Sequence, residues 1–172
     1  MVVVSDEWIQ GVRASVMEIP KEIARLARKY PDLIELGSGA RVPQIAELEQ
    51  RLGIRLPAFY RDYLKKFGVI AIGSEEFFGF VGKAASRDFR NVVAAKRDWA
   101  KRWQLPENLI PVLDEEGDSC LCLDATTGRD ELLRWFPRSK KSTNTRQGLF
   151  QFLLQLCREI IEDEGDDDQG ED

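Results

Sequence analysis

The chain has 172 residues, enough for one domain with its own apolar core and no need of disulfides or metal to hold it. A hydrophobic content of 43% is that of a globular protein, and 32% charged residues make a well-hydrated surface. The net charge of −5 comes from the C-terminus: Glu162 to Asp172 holds eight acids and no base, leaving 22 acidic against 25 basic residues elsewhere, so the acidic balance does not mark the body as a nucleic-acid mimic.

Met1 to Glu7 has neither the basic nor the apolar region of a signal peptide. No stretch approaches the roughly 18 apolar residues of a membrane span, so the expected location is the cytoplasm. Ser5 or Asp6 can cap a first helix bearing Trp8, Ile9, Val12 and Val16 at helical spacing. Pro20 fits the first position of a second helix, with Ile23, Leu26 and Ala27 on one face, and Pro31 ends it. Gly37-Ser38-Gly39 is a loop that separates this arm, residues 1–41, from the rest of the chain.

Pro43 opens a helix with Ile45, Leu48 and Leu52, closed by Gly53. Pro57 opens the next, whose Phe59, Tyr60, Tyr63, Leu64 and Phe67 make a broad apolar face before Gly68. Val69–Ile72 and Phe77–Val81 are short β-prone runs. Asp88 to Trp103 reads as a helix with Phe89, Val92, Val93, Trp99 and Trp103 facing the core. Leu109–Leu113, Cys120–Leu123 and Leu132–Phe136 read as strands, with Asp114 to Asp118 as a hairpin turn in which Gly117 supplies the unusual φ. Arg138 to Thr145 is expected to be a polar, basic loop, and Leu149 to Ile161 a closing helix. The order gives an α+β domain over residues 42–161, a mostly antiparallel sheet of about five or six strands with helices packed on it. Residues 162–172 are expected to be disordered.

The chain has no histidine, which removes Ser-His and Cys-His nucleophilic sites and histidine metal ligands. No glycine-rich loop opens a helix after a strand, so no phosphate cradle is visible. Cys120, Cys122 and Cys157 read as buried free thiols in a reducing compartment. No cofactor, metal or catalytic residue is expected.

Lys83–Arg102 holds seven basic and two acidic residues, and Arg134–Arg146 five basic and none acidic. Nucleic-acid binding would need aromatics interleaved on an exposed face. With Trp99 and Trp103 expected inside, nucleic acid is not the expected partner.

Three stretches stand out together. The first runs from Ile45 through Leu52-Gly53-Ile54-Arg55-Leu56-Pro57 to Tyr60, Tyr63 and Leu64. The second runs from Leu109-Ile110-Pro111-Val112 through Gly117-Asp118 to Leu123-Asp124, followed by Trp135. The third is the helix segment Phe150-Gln151-Phe152-Leu153-Leu154. These stretches resemble the SUKH superfamily, which includes bacterial immunity proteins and a yeast regulator of cell-wall synthesis. The resemblance implies a non-enzymatic binding protein, an immunity protein that neutralises a cognate toxin, commonly a nuclease. On charge type, the expected contacts are Glu75, Glu76, Asp114, Glu115, Glu116 and Asp118, with the acidic tail. The alternatives are a regulatory scaffold domain, as the yeast relative implies, a nucleic-acid binder, or a carboxylate hydrolase with Asp118 at its centre. The chain is expected to be a monomer or homodimer.

Overall fold

The computed structural model describes residues 6–82 and 90–166, with the side chains of 6–17, 165 and 166 left outside the description. The apolar face expected from Trp8 to Val16, the Phe89 side chain and residues 167–172 of the tail therefore lie outside the described part.

Where the sequence predicts two helices, α1 (Asp6–Lys29) is one helix with Pro20 inside it. A proline removes one bond to the preceding turn and strains it, but it does not end a helix whose flank is anchored. Here Pro20, Ile23, Leu26 and Ala27 are buried, and Ile19 and Ala24 pack on the same core. Strand β1 (Ile34–Leu36) comes next, too short at three residues to show a period in sequence. The segment before residue 42 thus contributes both a helix face and a strand to the common core.

Helices α2 (Val42–Leu52) and α3 (Ala58–Lys66) form the expected hairpin. Gly53 closes α2 in the left-handed region at φ 69°. Glu49 fastens the connector: its Oε1 accepts from the Leu56 backbone N–H at 2.8 Å and from Arg61 Nε at 3.0 Å. Tyr60, Tyr63 and Leu64 are fully buried, with the two tyrosine rings stacked at 5.4 Å.

Strands β2 (Ile70–Ile72) and β3 (Glu75–Phe77) pair through a Gly73-Ser74 turn, Ile72 opposite Glu75. The second run expected from Phe77 to Val81 therefore starts two residues earlier and leaves the sheet at Phe78. It does so because its later donors go elsewhere: the Phe78 N–H donates to the Val112 carbonyl at 2.8 Å, and the Phe80 N–H to the Gly68 carbonyl at 2.9 Å. That second bond needs two glycines. A Cβ on Gly79 would sit 1.8 Å from the Gly68 carbonyl oxygen, and Gly68 itself holds φ 66°.

Helix α4 (Val92–Trp103) begins at Val92 rather than Asp88, because Asn91 caps it: Asn91 Oδ1 accepts from the Val93 N–H at 2.9 Å. Strands β4 (Leu109–Glu115), β5 (Ser119–Asp124), β6 (Glu131–Phe136) and β7 (Lys141–Gly148) form an antiparallel sheet in chain order. Strand β7 replaces the expected basic loop. Its exposed Lys141 to Asn144 carry no apolar period, and it forms by backbone pairing with β6, Leu133 opposite Asn144 and Trp135 opposite Ser142. Pro111 lacks a ladder donor, and β4 shifts register between Pro111 and Leu113.

Helix α5 (Leu149–Asp166) runs five residues past Ile161, into the segment expected to be disordered. It covers one face of the four-stranded sheet: Leu149, Phe150, Leu153 and Cys157 share a core with Leu113, Leu121, Leu123 and Leu132. On the other face Trp99 and Leu105 pack with Leu109, Cys120, Cys122 and Trp135. The architecture is α+β, with seven described strands in two antiparallel sheets, β1-β2-β3 and β4-β5-β6-β7, and five described helices. The sheets meet where Phe78 bonds to Val112, so a single expected sheet of five or six strands is split at the end of β3.

Candidate functional site: an acidic cleft with an aromatic floor

The bond from Phe78 to Val112 sets the end of β3 beside the end of β4. Tyr60 fixes the same segment from below, its hydroxyl donating to the Phe78 carbonyl at 3.0 Å. Helix α4, capped at Asn91, lies across the junction. Between them is a cleft of about 470 Å³. Its apolar lining is Phe78 from β3's end, Ala94, Ala95 and Trp99 from α4, and Leu113 from β4. Its carboxylates are Glu75 and Glu76 from β3, Asp98 from α4, and Asp114 and Glu116 from the β4–β5 hairpin. No lysine or arginine lines it among the described residues.

Four of the six expected contact residues thus meet in one place although Glu76 and Asp114 are 38 positions apart in sequence. Glu115 and Asp118 do not line this cleft, although Glu115 shares a neighbouring hollow with Glu75 and Glu116. A period-2 strand sends Glu115 to the opposite face from Asp114, where Arg134 takes it in a two-pronged pair at 2.7 Å on each oxygen and Ser119 adds a third bond. Burial pushes the Glu115 carboxyl up, and the Arg134 and Ser119 bonds together overcome that and hold it below the ordinary carboxylate range. Asp118 projects into solvent, 84% exposed, with Arg138 at 3.7 Å.

Within the cleft Glu75, Glu76 and Glu116 have no basic partner among the described residues. Burial raises Glu75 above its usual range, and the charges of Glu116 and Glu115 add to the effect. Asp114 accepts the Gly117 N–H at 2.7 Å, and Asp98 pairs with Arg102 at 2.8 Å. Glu116 stands at φ 55° and Gly117 at φ 79°, the pair of left-handed residues that primed hairpin turns require. A cation on an apolar stem fits this arrangement, its head between the carboxylates and its stem along Trp99 and Phe78.

Sequence reasoning missed Asp98, Phe78 and the double role of Trp99. Trp99 is 2% exposed, as expected of a core residue, yet it also floors the cleft. Trp103, expected inside, is 39% exposed, because α4 ends as it passes the sheet edge and Gln104 turns away at φ 57°. Cys120, Cys122 and Cys157 are buried and unbridged, with burial pushing Cys157 up to about 12. No group of three or more Cys, Asp or Glu among the described residues is placed to hold a metal ion. No described helix is long and apolar enough to cross a membrane.

Known proteins place this fold. A relative, the SPbeta prophage-derived uncharacterized protein YokK of Bacillus subtilis (strain 168), is 25% identical over 157 residues, covering 73% of this chain and 79% of the relative. The pattern that describes the family SUKH_5, SMI1-KNR4 cell-wall, matches residues 21–158. That span runs from α1 to α5 and holds the Glu49-fastened hairpin, both sheets and the cleft. The chain belongs to the SMI1-KNR4 cell-wall family, a branch of the SUKH superfamily.

Proposed function

We propose that this protein is a non-enzymatic binding protein of the immunity type, which neutralises a cognate toxin by seating a basic surface of that toxin in the acidic cleft. The observation that carries the reading is the convergence of Glu75, Glu76, Asp98, Asp114 and Glu116 on one apolar-floored cleft that no described cation lines. Burial, and after it the charges of Glu116 and Glu115, raise the Glu75 carboxyl, and a cationic partner relieves the charge part of that cost. A nuclease toxin presents a basic substrate cleft, so charge complementarity would speed its capture and occlude its active site. Family membership supports a binding role, and the prophage origin of YokK is in keeping with a gene carried alongside a toxin.

The second reading, a regulatory interaction domain, rests on the family's cell-wall description and uses the same cleft for a cellular protein. The test is affinity capture from the native host extract with the wild-type chain and with the double reversal E75K/E116K as bait. The immunity reading expects one strongly basic, toxic protein on the wild-type bait only, its activity blocked by the wild-type chain. Recovery of a housekeeping protein instead would favour the regulatory reading, and equal recovery on both baits would remove the cleft from either.

A further inference from the structure

Beside the acidic cleft lies a surface of opposite sign. Residues 99–106 and 135–141 carry Lys101, Arg102, Arg138, Lys140 and Lys141 and not one carboxylate. Two contacts join this basic ledge to residues that line the cleft, one reaches the tip of the β4–β5 hairpin, and one holds the ledge together. Trp103 packs on Trp99 with ring centroids 6.3 Å apart. Arg102 pairs with Asp98 across one turn of α4 at 2.8 Å, and Arg138 reaches Asp118 at 3.7 Å. Lys140 Nζ donates to Gln104 Oε1 at 2.6 Å, tying the β6–β7 turn to the end of α4. Both Lys140 and Gln104 hold left-handed backbone, at φ 53° and 57°.

One face of the molecule is therefore acidic on one half and basic on the other, with the exposed Trp103 at the boundary. Lys101 and Lys141 have no carboxylate partner among the described residues, and neither do Glu75, Glu76 and Glu116 have a basic one. A two-fold axis near Trp103 would set the acidic half of one copy against the basic half of another, twice over, and would bury both Trp103 rings. We propose that this face is self-complementary and that the occupant of the cleft, in the absence of another partner, is the Lys140–Lys141 ledge of a second copy of this chain. The pairing does not depend on the identity of any toxin. A basic partner would compete with it, so the dimer keeps the cleft covered until that partner arrives.

The test is sedimentation velocity of the full chain and of two reversals, E75K/E116K in the cleft and K140E/K141E on the ledge. Circular dichroism would verify the fold of each. The wild type is expected to dimerise at about 50 mM salt and to dissociate at about 1 M. Each reversal alone is expected to weaken dimerisation by about tenfold or more. Mixing the two reversals is expected to restore a heterodimer, since the lysines introduced in the cleft of one copy then face the glutamates introduced on the ledge of the other. W103A is expected to weaken the wild-type dimer without removing its salt dependence. A wild type that stays monomeric at low salt, a dimer indifferent to both reversals, or reversals that fail to pair with each other would each overturn the proposal. A wild type that stays monomeric yet captures a basic protein would leave the proposed function standing and this inference refuted.

Discussion

Glu75 and Glu115 are both partly buried glutamates, and yet their electrostatics are opposite. Burial, Glu116 and Glu115 raise Glu75, so its charged form costs the folded state at neutral pH. A raised folded-state carboxyl favours folding only as pH falls through it, so replacing it removes a penalty present above that point. Glu75→Gln is expected to raise the melting temperature by about 1 °C at pH 7, a small figure because the group is partly solvated, with the gain vanishing below about pH 4. Calorimetry at the two pH values would read it. For Glu115 the sign reverses: its folded-state carboxyl is lowered by Arg134 and Ser119 against the pull of burial. That stabilisation is present above the unfolded carboxyl range and lost as pH falls through the lowered one. Urea titrations should show the wild type losing stability in acid more steeply than Glu115→Gln. Arg134→Ala should cost about 1–2 kcal/mol at pH 7, since it strands a half-buried carboxylate.

At the scale of elements, the termini of α4 and the crossing of two loops decide whether the cleft forms. Asn91 is buried and caps α4, so Asn91→Ala is expected to cost about 1–2 kcal/mol and to loosen the wall that carries Asp98 and Trp99. Gly79→Ala has no room, its Cβ falling on the Gly68 carbonyl, and is expected to cost about 3 kcal/mol or more by chemical denaturation. The elements legible in sequence are those with a strong period or a cap: Pro43, Gly53, Pro57 and the apolar face from Tyr60 to Phe67 mark α2 and α3 where the structure has them. The elements not legible are those made by tertiary pairing. Strand β7 has polar, exposed residues and exists because β6 offers an unpaired edge. Helix α1 passes through Pro20 because Ile19 and Ile23 are held by the core on either side. The last turns of α5 persist into acidic sequence because Ile160, against Gly73, anchors the turn before them.

For the whole molecule, charge type alone named Glu75, Glu76, Asp114 and Glu116, and the fold gathers these four because β3 and β4 end side by side. It could not separate them from Glu115, whose fate depends on which face of β4 it takes and on Arg134 two strands away. Nor could it find Asp98 or the exposure of Trp103, which depend on where α4 crosses the sheet. If the cleft captures a basic toxin surface, titration calorimetry of the captured toxin will distinguish the wild type from the triple neutralisation E75Q/D114N/E116Q. Stoichiometric binding is predicted, weakening by about tenfold or more in the variant and declining with salt in the wild type. Equal affinity for the two proteins, or binding indifferent to salt, would contradict it.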